Sequence, residues 1–243
     1  LLKLCRVLEA DALQLTKVKQ FAPAVIMFYI SIACNMRLLA RATVDTFIVI
    51  RSVAPILTQV GEVFLLGADW PNRDAWLALL IISMGAVGFA HNNLSQMSDP
   101  VVLFWASTYL LCITADMLIV KRVITSIKLK PWGYVYYNNL LALCVYPFWS
   151  VLTGEEIGRT DGLDDTSVMV AVATSCVLGL GISFFGLNTR LALSATAFTV
   201  LGAACKFLSI FLNMAVWHHH APHPALPWLL LALSGSLFYQ RVT

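Results

Sequence analysis

Long apolar stretches separated by short polar segments follow one another along almost the whole chain. A bilayer core requires roughly 20 mostly apolar residues per spanning helix, and these stretches are close to that length. Eight are recognised: 21–39, 43–66, 75–91, 100–120, 132–153, 166–186, 194–217 and 225–240. The pattern predicts an all-α polytopic membrane protein with a single transmembrane domain over residues 1–240.

The composition agrees with this pattern and excludes several functions. Hydrophobic residues make up 59% of the chain and charged residues 12%, and the mean hydropathy is +0.80, whereas a soluble domain carries far more charge. The formal net charge of +3 is not gathered into a basic run, so nucleic acid is not an expected partner. The 6 cysteines lie singly, without metal-site or disulfide spacing, and are predicted to be small packing residues.

A weak internal repeat is visible in the apolar stretches. Phe47–Ile50 resembles Phe198–Leu201 at an offset of 151 residues, and Trp76-Leu77 resembles Trp228-Leu229 at an offset of 152. Duplicated helix bundles of this kind are common in transporters. We therefore expect two copies of one helical unit.

The two copies differ in length. Residues 21–91 form a partial first repeat, and residues 100–240 form a complete second repeat that begins with two additional helices. A complete first copy would have the same pair before residue 1, so we expect the first two helices of a ten-helix protein to be missing. A repeat with an odd number of helices enters the membrane from the opposite side the second time, which predicts an inverted repeat of five plus five helices.

The charges of the loops orient the chain. Four basic residues follow the fourth apolar stretch: Lys121, Arg122, Lys128 and Lys130. The next loop, 154–165, is mainly acidic. Positive loops face the cytosol, and alternation along the chain then places Arg73 and Arg241 on the cytosolic side as well.

Two cations lie near the middle of predicted spans. Arg51 is in VDTFIVIRSVAPILTQVGEVFLL and Lys206 is in LSATAFTVLGAACKFLSIFLNMAVW. A charge at this depth costs roughly 2.5–3.5 kcal/mol even on the mildest insertion scale, so it needs a partner or a purpose. In the repeat, Lys206 corresponds to Pro55, one turn beyond Arg51. The pair suits a doubly charged anion such as a diphosphate; alternatively, Asp45, Glu62 or Asp116 could neutralise the two cations structurally.

A polar run interrupts the fifth apolar stretch at Tyr136, Tyr137, Asn138 and Asn139. An Asn amide offers both donors and an acceptor, which can complement a base edge such as that of guanine, and Tyr adds a stacking face. The Asn pair could instead bond a neighbouring helix. A metal site at His218–His220 is not expected, because no Cys or convergent carboxylate lies nearby.

These residues resemble those of a known family. Over residues 15–240 the chain is similar to the nucleotide-sugar transporters of the drug/metabolite-transporter superfamily, and within them to the plant-like GDP-mannose and GDP-fucose branch. VYYNN at Val135–Asn139 resembles the branch's FYNN motif, which implies contact with guanine. Gly202–Lys206 resembles its GALNK motif, which implies contact with the sugar and phosphate end, although Ala204 and Cys205 replace Leu and Asn.

The resemblance implies a multi-pass Golgi antiporter, surrounded by membrane lipid, that exchanges cytosolic GDP-mannose or GDP-fucose for lumenal GMP. It implies no cofactor and no enzymatic activity. The diphosphate would bind to the two cations, the base to the Tyr-Asn run, and the sugar end near the small residues. The predicted substrate-binding residues are Arg51, Tyr136, Tyr137, Asn138, Asn139, Thr199, Gly202, Ala203 and Lys206.

Other functions stay open on the sequence alone. A sugar-phosphate or triose-phosphate translocator of the same fold would keep the two cations but have no use for the Asn pair. A multi-pass membrane transferase would use Asp164 and Asp165 with the His cluster. A chain without its first two helices could also transport nothing. The sequence does not choose between the two sugars or between a monomer and a homodimer.

Overall fold

The computed structural model describes residues 13–42, 44–89, 99–153, 166–216 and 226–242. Within these ranges the secondary structure is helical, without a strand. The helices are α1 (Leu15–Leu39), α2 (Val44–Leu66), α3 (Arg73–Phe89), α4 (Pro100–Ser126), α5 (Pro131–Thr153), α6 (Thr166–Ala192), α7 (Ala195–Val216) and α8 (Leu226–Val242). The predicted all-α polytopic membrane protein is confirmed.

The observed helices match the eight apolar stretches, but several extend beyond them. α1 begins at Leu15, six residues before the predicted start, while α4 continues to Ser126 and α6 to Ala192. These extensions contain Lys, Arg and Thr, so a hydropathy pattern leaves them out of the predicted apolar stretches. Long cationic side chains nevertheless suit the ends of membrane helices. Within the ranges that the structure describes, four helical segments are long and apolar enough to cross a membrane: Leu15–Leu39, Phe47–Leu66, Pro100–Ser126 and Thr166–Ala192.

Several helix ends follow from local sequence. Side chains cap the starts of three helices: Asn72 accepts from the Ala75 N–H (2.8 Å), Asp99 from the Val101 N–H (2.9 Å) and Ser194 from the Ala197 N–H (3.0 Å). α2 ends where Gly67 adopts a φ of 68°, and the Ala68 N–H donates back to the Glu62 carbonyl at 3.1 Å.

Contacts divide the chain into two compact units. One contains Leu1–Tyr29 and Lys121–Ala192, and the other contains Ile30–Val120 and Leu193–Thr243. α1 and α4 therefore contribute to both units. The predicted division into repeats at 21–91 and 100–240 follows different boundaries and stays a prediction.

In the first unit, α5 packs on α6. Polar side chains form hydrogen bonds with backbone carbonyls near the helix ends. The buried Tyr134 hydroxyl lies 3.0 Å from the Ile124 carbonyl and 2.5 Å from the Ile127 carbonyl, so its one proton is shared between these two acceptors. Lys121, predicted to be a loop cation, lies inside α4, where its Nζ donates to the Arg190 and Leu191 carbonyls at 2.9 and 3.2 Å. A cation at the C-terminus of α6 is favoured by the helix dipole.

In the second unit, helices that are equivalent in the predicted repeat pack on each other, α2 on α7 and α3 on α8. Small residues allow α3 and α8 to approach closely: a Cβ at Gly85 would lie 2.6 Å from the Ala232 backbone nitrogen, and one at Gly235 would lie 3.0 Å from the Ile82 nitrogen. As residue numbers rise along α3 they fall along α8, so the two helices are antiparallel. An inverted repeat requires this relationship between equivalent helices.

Candidate anion-binding site

Arg51 and Lys206 each contact an aromatic residue of the second unit. The half-buried Arg51 donates from Nη1 to the Tyr109 hydroxyl at 3.0 Å. The Lys206 Nζ lies 4.6 Å from the centroid of the Phe47 ring, within the range of a cation–π contact. Phe47 precedes Arg51 by one helical turn on α2, so both side chains are on one face.

The two aromatic residues also contact each other. The Phe47 and Tyr109 rings have centroids 5.3 Å apart and are tilted by 39°, an attractive geometry for an aromatic pair. Contacts therefore run from Arg51 through Tyr109 and Phe47 to Lys206, joining α2, α4 and α7. We refer to these four residues as the cation cluster.

The electrostatics of the cation cluster favour an anion. The charges of Arg51 and Lys206 are close enough to repel each other. In the described part of the chain, neither cation has a carboxylate within salt-bridge distance, and the side chain of Asp45 lies outside it. Because charges interact more strongly away from bulk water, an anion between the two cations would relieve this repulsion.

Glu62 and Asp116, the two other acids that could neutralise the cations structurally, have different surroundings. Glu62 is buried at one end of α2 and accepts from the backbone N–H groups of Ala195 (2.5 Å) and Thr196 (3.1 Å) and from the Thr196 hydroxyl (2.6 Å). It caps α7, where the helix dipole favours a negative charge, and is not a partner of either cation. Asp116 is buried about two turns beyond Tyr109 on α4.

The predicted residues of α7 have different degrees of access. The half-buried Thr199 donates its hydroxyl to the Ala195 carbonyl at 2.7 Å, and Ala203 is buried in the core between α2, α3, α7 and α8. Gly202 is half-buried, and a Cβ there would meet nothing within 4 Å. Cys205, which replaces the motif's Asn, is exposed. The open space beside Gly202 is the feature of α7 that suits a ligand.

The Tyr-Asn run lies on α5 in the first unit. Tyr137 is fully buried, packs against Phe21 at 6.4 Å between centroids, and accepts from the Gln14 N–H at 2.8 Å. Tyr136 is half-buried and edge-on to Tyr137. The contacts of Tyr137 are those of a packing residue, so its predicted role in base stacking stays a prediction.

The two Asn residues of the run are half-buried on α5. Asn139 donates from Nδ2 to the Val135 carbonyl at 3.0 Å, one turn earlier on the same helix. Its Oδ1 and second amide hydrogen keep the mixed hydrogen-bonding character that a base edge requires. These Asn residues belong to the first unit, whereas Arg51 and Lys206 belong to the second.

Sequence reasoning missed two members of the cation cluster, Phe47 and Tyr109. The spacing of Phe47 one turn before Arg51 was an available signal, because residues four apart share a helix face. Tyr109 sits in an apolar stretch and offered none. For metals, the described residues contain no group of three His, Cys, Asp or Glu that could hold an ion, and His218–His220 lie outside them.

Known proteins resemble this chain over most of its length. No family model matches it. It is 40% identical over 230 residues to the GDP-fucose transporter 1 of Arabidopsis thaliana, an alignment that covers 92% of this chain and 67% of the relative. The chain belongs to the GDP-sugar transporter family.

Two further members show how widely the family likeness extends. The GDP-mannose transporter GONST3 of Arabidopsis thaliana is 38% identical over 244 residues, covering 98% of this chain and 65% of the relative. The GDP-mannose transporter of Komagataella pastoris is 21% identical over 230 residues, covering 91% and 63%. The chain thus spans about two thirds of the length of these relatives. The predicted plant-like branch is confirmed, and the relatives are named as transporters rather than enzymes.

Proposed function

We propose that this member of the GDP-sugar transporter family carries GDP-mannose or GDP-fucose across a membrane in exchange for GMP. The observation that carries the proposal is the pair of cations, Arg51 and Lys206, on the packed helices α2 and α7 of a chain 40% identical to a GDP-fucose transporter. Each cation contacts an aromatic residue, which carries no negative charge. An anionic ligand would therefore supply the countercharge.

The chemistry of the predicted residues fits the parts of a GDP-sugar. The planar guanidinium of Arg51 can bind a phosphate through two parallel hydrogen bonds, while Lys206 adds a point charge that can follow the second phosphate. On α5, the amides of Asn138 and Asn139 offer a donor and acceptor set for the guanine edge. The space beside Gly202 would admit the sugar end.

The same cations give a reason for exchange rather than one-way flow. With no anion bound, Arg51 and Lys206 repel each other in a half-buried position. A ligand shifts a conformational equilibrium only through its different affinity for the two states. We propose that GDP-sugar and GMP both lower the barrier to switching by neutralising this pair, so that the empty protein switches slowly.

For the cellular setting we propose a multi-pass protein of the Golgi membrane that needs no cofactor. The similar identities to a GDP-fucose and a GDP-mannose transporter, 40% and 38%, give no preference between the two sugars. Fluorescent tagging and co-localisation with a Golgi marker would test the location, and an endoplasmic reticulum pattern would contradict it.

The test of the function is uptake by proteoliposomes that contain the full chain. Vesicles preloaded with GMP should accumulate radiolabelled GDP-mannose or GDP-fucose, but not UDP-galactose, and vesicles without GMP should accumulate little. The variant Lys206→Ala should lose uptake. Lys128→Ala is the matched control, because Lys128 is exposed between α4 and α5 and should be dispensable.

Two results would contradict the proposal. Uptake that does not depend on internal GMP would remove the exchange mechanism. Uptake of a simple sugar phosphate but of no GDP-sugar would instead indicate a phosphate translocator. In that case Asn138→Ala and Asn139→Ala should leave uptake unchanged, because a phosphate offers no base edge to read.

A further inference from the structure

We propose that Tyr109 is a positioning residue for substrate binding, which holds the guanidinium of Arg51 in the orientation that binds the anion. This inference rests on the proposed function, since it assigns a second residue to the same site. Tyr109 lies on α4, away from the two motifs that resemble those of the family.

The geometry of Tyr109 suits this role. Its side chain is buried, with only 1% exposed, and its hydroxyl accepts one hydrogen bond from Arg51 Nη1 at 3.0 Å. A guanidinium carries several N–H donors in a fixed planar fork. Fixing one of them through Tyr109 sets the plane of the fork and leaves the remaining donors for a phosphate.

An anchor is needed because two effects act against a fixed Arg51. The long, flexible Arg side chain loses rotamer entropy when it is held in one orientation. The charge of Lys206 also repels the guanidinium. Tyr109 opposes both effects from a position fixed by ring packing against Phe47, at 5.3 Å between centroids.

Tyr109 contacts Arg51 directly, and Arg51 is the residue that would bind the anion. Tyr109 therefore acts on the ligand through Arg51.

The experiment is calorimetric titration of the purified full chain with GMP and with GDP-mannose. Tyr109→Phe should weaken both affinities about tenfold, since a hydrogen bond to a charged group is lost while the ring is kept. Tyr239→Phe is the matched control: Tyr239 is equally buried, and its hydroxyl bonds the neutral Gln59 side chain at 2.8 Å. It should change the affinities by less than about twofold.

A double-mutant cycle separates positioning from a merely structural role. In the Arg51→Lys background the guanidinium is gone, so adding Tyr109→Phe should cost less than about twofold. A full tenfold cost in that background, or a wild-type affinity in Tyr109→Phe alone, would overturn the inference while leaving the proposed function intact. If the wild-type chain binds neither GMP nor GDP-mannose, both proposals fall, because Tyr109 would have no ligand to serve.

Discussion

The carboxylate of Glu62 binds Thr196 twice, through the backbone N–H at 3.1 Å and through the hydroxyl at 2.6 Å. This contact joins α2 to the first turn of α7. The loop charges predict that both of these helix ends face the cytosol, because Arg73 follows α2 and Arg241 ends the neighbouring α8. The two helices that carry Arg51 and Lys206 are thus held together at one end by a buried charge.

Glu62→Ala should destabilise the protein by about 3 kcal/mol, since a buried carboxylate that receives several hydrogen bonds is lost and the α7 N–H groups lose their acceptor. The measurement is the thermal unfolding midpoint of the purified protein in detergent. Thr196→Val removes only the hydroxyl and should cost about 1 kcal/mol. Equal midpoints for Glu62→Ala and wild type would show that the cap contributes nothing.

Gly85→Ala should destabilise the protein by about 1–3 kcal/mol, because the added Cβ would lie 2.6 Å from the Ala232 backbone nitrogen, which cannot move independently of α8. Gly179→Ala is the matched control: it is a helical Gly on the exposed face of α6, where a Cβ meets nothing within 4 Å. That variant should be neutral or up to about 1 kcal/mol more stable. Thermal unfolding of both variants would decide, and a destabilised Gly179→Ala would contradict this explanation.

Lys206→Met should abolish uptake and at the same time raise the stability of the ligand-free protein by about 1 kcal/mol or more, because it removes a cation from mid-membrane and its repulsion with Arg51. A structural ion pair predicts the reverse, since removing one partner would leave a buried charge alone. Thermal unfolding without and with GMP tests both parts. Wild type should be stabilised by GMP, whereas Lys206→Met should not respond.

Mild oxidation should join Cys34 on α1 to Cys112 on α4, because their sulfur atoms lie 3.8 Å apart. Treatment of membranes with copper phenanthroline, followed by mass spectrometry of the digested protein, should recover a linked peptide. Cys34→Ser should remove it. Recovery of Cys34 linked mainly to another cysteine would contradict the proximity of the Cys34 and Cys112 sulfur atoms.

The helices could be predicted from the sequence because an apolar stretch of bilayer length has few alternatives to a spanning helix. The early start of α1 at Leu15 and the late end of α6 at Ala192 could not, because those turns are polar. Arg51 and Lys206 stood out as charges within apolar stretches. Tyr109 and the role of Glu62 did not, because both depend on which helices meet, and a weak repeat does not specify side-chain contacts.

The antiparallel packing of equivalent helices has a consequence for how a ligand can lie in the site. If the two halves were identical, a molecule with two different ends could bind equally well in either of two reversed orientations. At the repeat offset of 151 residues, Arg51 corresponds to Gly202 and Lys206 to Pro55, so neither cation has a cationic counterpart. In the predicted repeat the two halves differ at both cations, which removes the degeneracy, and we expect a ligand with two different ends to lie in one preferred direction.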